Sequence, residues 1–358
     1  MKRRWKAIRY RLEWIGLATG SVLVPLLSRK MCWRLGRILG TIVSIVDRPG
    51  RRVALSNLEA ALGREFPPAQ RKRIVRQSYQ NFTTAMIDLL WSPRLTKENF
   101  QRYIEIENLE RAEADSGTDR SAIVVSLHYG NFEWLSLALG FLGYPADIVA
   151  EKLRNPMLDE ILQKARKRSG HSIVPRKGAI IHIYKTLRRR GRVAILVDLN
   201  IRPTQPAAVI KCFGLHTCVT LAPAWLHQRT GAPIIPAHSE PLPGGRYRMV
   251  CHPKIEMPPD ATVSEIAQAC WDCFEPVVRR NPAPWIWMYK HWRFRPENAD
   301  RPYPFYANVS WHFKNLLNKL KKESGARPQP FDDAIVPEPP RIRGGKKIPS
   351  AQTIGAQR

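Results

Sequence analysis

Apolar residues fall in two rhythms along this chain. From Arg52 to Leu62 (RVALSNLEAAL) and from Gln70 to Leu90 they recur at helical spacing. In the second stretch Ile74, Tyr79, Phe82, Met86, Leu89 and Leu90 form the stripe expected to face a core. Pro67-Pro68 opens that helix and Pro93 closes it. Beyond Pro93 the apolar runs shorten. Short strands are predicted at Phe100–Leu109, where YIEIENL alternates, and at Ala122–Leu127, Ala146–Ala150, Ser172–Val174, Arg192–Leu199, Val209–Phe213 and Ala232–His238. Tyr247–Pro253 with Ile255 reads as an edge hairpin after Pro243-Gly-Gly245. Helices are predicted from Phe132 onward, from Asn155-Pro156, over Gly178–Arg190, over Thr217–Thr230 and over Ser264–Arg280. Strands alternating with helices argue for an α/β sheet.

The two ends differ from this middle. Residues 1–13 (MKRRWKAIRYRLE) are basic with interleaved aromatics, and Trp14–Ser28 (WIGLATGSVLVPLLS) carries no charge. No small-x-small cleavage site follows; Arg29 and Lys30 do. The uncharged run is shorter than the roughly 20 residues of a full span. It predicts a helix that inserts partly into a membrane or lies in its interface, followed by a second apolar run at Ile38–Val46. The alternative is two helices packed on a soluble core. After Asn308, residues Val309, Phe313, Leu316, Leu317 and Leu320 share one helical face. That helix suits either a membrane surface or a packed terminus. Gly325–Arg358 is rich in Pro, Arg and Lys, with few large apolar groups, and predicts disorder. The chain therefore divides into membrane-associated helices at 1–50, a catalytic domain at 51–300, and a basic helix and tail at 301–358.

Charge narrows the partners. Lys and Arg number 58 against 30 Asp and Glu, a net +28. Such an excess calls for nucleic acid or an anionic membrane surface. The charge is dispersed, and no zinc finger, RNA-recognition signature or basic heptad accompanies it, so no specific nucleic-acid partner is expected. The eleven tryptophans fit a membrane interface or a core. Of six cysteines, only Cys270 and Cys273 form a C-x-x-C; nothing completes a metal set, so both are read as structural.

The chemistry gathers at SLHYGNFEW. The strand at Ala122–Leu127 stops at His128; Tyr129, Gly130 and Asn131 are turn material, with Asn131 the N-cap of the next helix and Glu133 in its first turn. Ligands of open α/β sheets bind at the carboxyl ends of strands. There His128 can act as a general base, oriented by Glu133. The bland alternative is a satisfied histidine and a glutamate complementing the helix dipole. Asp198 ends its own strand in the same kind of position, either pairing with a site arginine or capping the strand. Arg154 suits a phosphate, or is a surface charge. Gly130, Asn131, Arg154, Arg176 and Asp198 are the candidate substrate contacts. No Ser or Cys stands in a nucleophile elbow.

His128-x4-Glu133 resembles the His-x4-acid motif of the lysophospholipid acyltransferase superfamily, and most closely the H-x-G-N-x-E form of the lipid A biosynthesis late acyltransferases. Further stretches agree in order: Arg154-Asn-Pro-Met-Leu-Asp159; Leu187-Arg-Arg-Arg-Gly191 with Val197-Asp198; Phe213-Gly214, Thr217, Thr220 and Gly231-Ala232-Pro233; and Glu275 to Arg279, Pro282, Trp285-x-Trp287-Met288 and Arg293-Phe294-Arg295. The resemblance runs from about Arg51 to Arg295. It implies a glycerolipid-acyltransferase-like mixed sheet flanked by helices, at the cytoplasmic face of a bacterial inner membrane. It implies transfer of a fatty acyl group from acyl carrier protein or coenzyme A to a lipid hydroxyl, with no metal or bound cofactor. The hydroxyl would attack the thioester directly, without an acyl-enzyme. The oxyanion donor would be a backbone N–H near Gly130 or a basic side chain. Two departures concern the acceptor: Asp198-Leu-Asn200 replaces Asp-x-Asp or Asp-Gln, and Lys290-His-Trp-Arg-Phe294 replaces His-Arg-Arg-Phe. Lysophospholipids, glycerol phosphate, phosphatidylinositol mannosides and aminolipids are the other acceptors of this chemistry.

Overall fold

A computed structural model describes residues 2–116, 121–150, 168–175 and 178–325. Arg154, Arg176, the helix predicted at Asn155 and the tail beyond Gly325 lie outside the described residues. Four helices come first: α1 (Lys2–Leu23), α2 (Arg29–Val46), α3 (Arg48–Leu62) and α4 (Pro68–Trp91). A seven-stranded sheet follows, built from β1 (Ile104–Glu107), β2 (Ala122–Ser126), β3 (Asp147–Ala150), β4 (Ser172–Pro175), β5 (Arg192–Leu196), β8 (Ile234–Leu242) and β9 (Arg246–Cys251). Their order is β1-β9-β8-β2-β5-β3-β4. Every pairing is parallel except β8 with β9. The hairpin predicted at Tyr247 is present, but β9 is not the edge, because β1 adds outside it. The strand predicted over Phe100–Leu109 shrinks to the four residues of β1.

The sheet is covered on both faces, so its central strands are apolar on both sides. Ile123, Val125 and Leu127 join Val193, Ile234 and the side chains of Trp271, Trp285, Trp287 and Trp292 in one core. Ala122, Ile235 and Ala237 pack on the other face with Trp91, Trp134 and Leu135. The covering helices include α5 (Leu109–Ser116), α6 (Phe132–Phe141), α7 (Ala179–Arg188), α8 (Ala222–Thr230), α9 (Val263–Asp272) and α10 (Glu275–Arg280).

A second, two-stranded sheet pairs β6 (Ala207–Cys212) with β7 (Leu215–Thr220). Thr217–Thr220, predicted as the start of a helix, is the end of β7. The reason is the turn: Phe213 and Gly214 both have positive φ (52° and 76°), the backbone of a two-residue hairpin. The terminal helix α11 (Trp311–Gly325) settles on this hairpin, where Phe313 and Leu317 are buried against Val209 and Cys218. Each such side chain stabilises by about 1.5–3 kcal/mol. The apolar stripe of this helix is thus a packed face, the second of its two sequence-based options.

At the amino end, α2 packs on α4 through Cys32, Gly36, Gly40 and Ser44, a buried stripe of small residues. No helix among the described residues is long and apolar enough to cross a membrane. Yet twelve of the eighteen exposed large apolar side chains in the described residues lie between Trp14 and Val46, including Ile38, Ile42, Ile45 and Val46. The surface the fold leaves apolar is therefore concentrated on α1 and α2.

Candidate active site

Strand register builds the centre of the site. Ser126 and Leu196 are paired partners on the neighbouring parallel strands β2 and β5. Two residues further along each strand stand His128 and Asp198. The Nδ1 of His128 lies 2.8 Å from Asp198 Oδ1, and the His128 backbone N–H donates to Oδ2 at 2.9 Å. The indole N–H of Trp285 donates to the same Oδ2 at 2.9 Å. Burial opposes charge on Asp198, but the attraction and N–H of His128 and the Trp285 N–H hold its carboxyl below the ordinary 3.8. Asp198 is thus a carboxylate, and Nδ1 of His128 is the N–H donor. In the neutral imidazole the other nitrogen, Nε2, is then the one that carries the free lone pair. The Asp198 side chain has no solvent exposure, whereas that of His128 is 15% exposed. A reactant can therefore reach His128 but not Asp198.

This changes two expectations. The carboxylate on Nδ1 is Asp198, whereas Glu133 had been expected there. Asp198 is also no substrate contact, because its side chain is wholly enclosed. Glu133 does sit in the first turn of α6 and is buried. The phenyl ring of Phe132 meets the His128 ring edge to face, 4.8 Å between centroids.

Gly130 shapes the turn between them. Its φ is +58°, and a Cβ there would lie 1.9 Å from the backbone oxygen of Ser239. No other residue fits without moving β8. Its N–H donates to Pro284 O at 3.2 Å, and that of Tyr129 donates to Leu127 O. The N–H groups of 128, 129 and 130 are all engaged within the protein. The oxyanion donor expected near Gly130 is not among them, and Gly130 serves the turn.

Asn131 is the N-cap, as expected: its Oδ1 accepts from the Trp134 N–H at 2.9 Å. Its Nδ2 donates to Asp88 at 3.0 Å. Both ends of the amide are committed and the residue has no exposure, so Asn131 positions the motif and does not touch substrate. Asp88 also accepts from the Tyr247 hydroxyl at 2.6 Å and pairs with Arg29 at 2.6 Å. Burial disfavours the Arg29 charge, but Asp88 outweighs it and holds the guanidinium pKa above its ordinary value. Arg29 lies over the ring of Trp134, 4.7 Å from its centroid. Helix α2 is thereby tied through Asp88 to the cap of α6.

The sequence reading did not assign Trp285, His291 or Asp88. Trp285 and His291 stack at 4.0 Å, and burial pulls the His291 pKa down to about 4. His291 is neutral, with Nε2 3.1 Å from Ile286 O. The one signal available was proximity to the Trp285-x-Trp287 signature. Asp88 carried none, being one carboxylate in an otherwise amphipathic helix. Arg154 and Arg176 lie outside the described residues.

Taken together, a shielded carboxylate and an accessible imidazole at the carboxyl ends of two central strands can remove a proton from a bound hydroxyl. Comparison with known proteins agrees in kind. The family profile described as bacterial lipid A biosynthesis acyltransferase matches residues 1–294. The chain is 22% identical over 297 residues to the lipid A biosynthesis lauroyltransferase of Escherichia coli, spanning 82% of this chain and 95% of that protein. It is 22% identical over 241 residues to a phosphatidylinositol mannoside acyltransferase of Mycolicibacterium smegmatis, spanning 66% and 77%. The corresponding enzyme of Mycobacterium tuberculosis is 23% identical over 243 residues, spanning 66% and 75%.

Proposed function

Because this chain belongs to the bacterial lipid A biosynthesis acyltransferase family, we infer that it moves a fatty acyl group from a thioester onto a hydroxyl of a lipid A precursor, with His128 as base. The observation that carries the mechanism is the 2.8 Å contact between His128 Nδ1 and the enclosed Asp198. Nε2 takes the proton of the acceptor hydroxyl. The hydroxyl oxygen attacks the thioester carbon and forms a tetrahedral oxyanion. The C–S bond then breaks, and the departing thiolate receives the proton from Nε2. Asp198 stabilises the imidazolium that exists between these two transfers. No acyl-enzyme forms. Because the N–H groups at 128–130 are engaged, a basic side chain stabilises the oxyanion. Arg154 and Arg176 are the basic residues assigned to the acceptor, and Glu133 is the second carboxylate of the centre.

The donor is acyl carrier protein or coenzyme A; both carry acidic groups suited to a chain of net charge +28. No cofactor beyond the acyl thioester is part of this scheme. The apolar surface of α1 and α2, beside abundant Lys and Arg, holds the enzyme on an anionic membrane at the cytoplasmic face of the inner membrane.

The similarity to phosphatidylinositol mannoside acyltransferases favours one second reading, the same transfer onto a mannolipid. Mass spectrometry of total lipids and lipid A, from cells with the protein, without it, and with His128→Ala, separates the two. Loss of one acyl chain from lipid A in both defective strains supports the first reading. A change confined to another glycolipid transfers the mechanism to that acceptor. Unchanged lipids in the His128→Ala strain would remove the proposal.

A further inference from the structure

Beside the His128 centre, at the same end of the sheet, is a concavity of about 190 Å³ between α2, α4 and the β8–β9 turn. Its wall reaches the catalytic turn from behind: Asn281 O accepts from the Tyr129 hydroxyl, and Pro284 O accepts from the Gly130 N–H. His128 itself does not line it. The lining is polar and contains no carboxylate. Gln77, Asn81 and Asn281 line it, and the side-chain amides of the three have no hydrogen-bond partner among the described residues. Arg37 and Arg246 also line it, and Arg37 supplies the guanidinium that has no carboxylate partner among the described residues. Arg37 lies over the Trp33 ring at 4.9 Å; Arg246 meets Glu105 outside the cavity.

This chemistry selects its ligand. A guanidinium without a carboxylate partner, as at Arg37, attracts a phosphate and binds it with charge-assisted hydrogen bonds. Amides carry both donors and acceptors, which suits hydroxyl groups. The volume is several times a single water's share of about 30 Å³. It fits a polyol phosphate and is too small for an acyl chain. Helix α2 carries Arg37 and, about a quarter of the way round the helix from it, the exposed apolar residues Ile38 and Ile45. A ligand held here therefore has its phosphate in the cavity and apolar surface beside it.

We propose that the cavity bounded by Arg37, Gln77, Asn81, Arg246 and Asn281 is a binding site for the polyol-phosphate headgroup of a lipid, separate from the His128 centre. The lipid part of this inference rests on the acyltransferase reading; the polyol-phosphate part does not. The headgroup belongs either to the acyl acceptor or to a bulk anionic phospholipid.

The test is titration of the full-length protein in a phosphate-free neutral detergent with glycerol 3-phosphate, followed by tryptophan fluorescence. Arg37→Gln, Asn81→Leu and Gln77→Glu are each expected to weaken binding about tenfold, the scale of one charge-assisted hydrogen bond. Arg64→Gln removes the same charge at an exposed site elsewhere and should change it less than twofold. Melting temperatures establish that each variant is folded. Competition by phosphatidylglycerol vesicles, absent with phosphatidylcholine alone, assigns the site to bulk lipid. A tenfold rise in acceptor KM for Asn81→Leu, without vesicle competition, assigns it to the acceptor. If glycerol 3-phosphate does not bind, or if Arg37→Gln and Arg64→Gln weaken it equally while Asn81→Leu has no effect, the site does not exist. Binding is read without turnover, so an inactive enzyme leaves this result intact.

Discussion

His128 and Asp198 stand two residues beyond Ser126 and Leu196, which face each other on adjacent parallel strands. Strand pairing alone therefore delivers the carboxylate to the imidazole at 2.8 Å. Asp198→Asn keeps the shape but replaces one acceptor oxygen with an NH₂ group among three donors. The ring of His128 then loses its enforced tautomer. A loss in kcat of roughly 10²- to 10⁴-fold is expected, the range of general-base catalysis, with little change in KM. His128→Ala and Glu133→Ala should also lose activity while remaining folded. Near wild-type kcat in Asp198→Asn would show that the pair does not carry the chemistry.

Acid stability follows from buried neutral histidines. Burial pulls both His291 and His252 down to about 4 from the ordinary 6.5. Between pH 6.5 and 4 the unfolded chain gains protons at these positions and the folded protein does not. Stability is therefore unaffected above pH 6.5, falls as pH drops through that window, and levels off below it. For His291 the loss amounts to about 3 kcal/mol. Asp198, with its pKa below 3.8, adds nothing to this slope, because its own contribution is lost only at lower pH. Chemical denaturation at pH 7 and pH 5 should show the decline. His291→Gln should lessen it, with His252 keeping its share; an unchanged slope in that variant would assign the decline to other groups.

Much of this was legible locally. The β2 run, the Asn131 cap, the long helix closed by Pro93 and the Gly178–Arg190 helix depend on short-range pattern, and the structure contains them. What was hidden depends on neighbours. Nothing in HYGNFE says that β5 lies beside β2, so Glu133, five residues away in sequence, was the visible carboxylate, and Asp198, seventy away, was not. Asn131 carried the right local role but not its Asp88 partner, which encloses it. Thr217–Thr220 looked helical because its pairing with β6 across the Phe213-Gly214 turn does not show in the local pattern.

The approach of α2 to α4 gives a prediction opposite to helix propensity. Alanine normally stabilises a helix over glycine by about 1 kcal/mol. A Cβ on Gly40, however, would lie 2.5 Å from Gln80 Cα and 2.8 Å from Tyr79 O, both backbone atoms. One helix must move. Gly40→Ala should therefore destabilise the protein by about 1–3 kcal/mol, measured as a lower melting temperature. A higher one would mean that the helices are not packed this closely.

The exposed apolar face of α2 makes the membrane reading testable. Ile42 and Val46 are 50% and 73% exposed, so replacing both by glutamate breaks no packing and should leave the melting temperature nearly unchanged. On a bilayer the same side chains would be buried, each contributing about 1.5–3 kcal/mol. Lys30, Arg34 and Arg37 line the adjoining side of the helix, where each adds about 1 kcal/mol toward anionic lipid. Co-sedimentation of wild-type protein with anionic vesicles should weaken in high salt, because salt screens only the basic part. The Ile42→Glu, Val46→Glu double variant should lose binding even at low salt, because the apolar part is gone and like charge is added. If the double variant sediments as wild type does, this face does not meet the membrane. If instead it converts an oligomer to a monomer, the face covers a second copy of the chain.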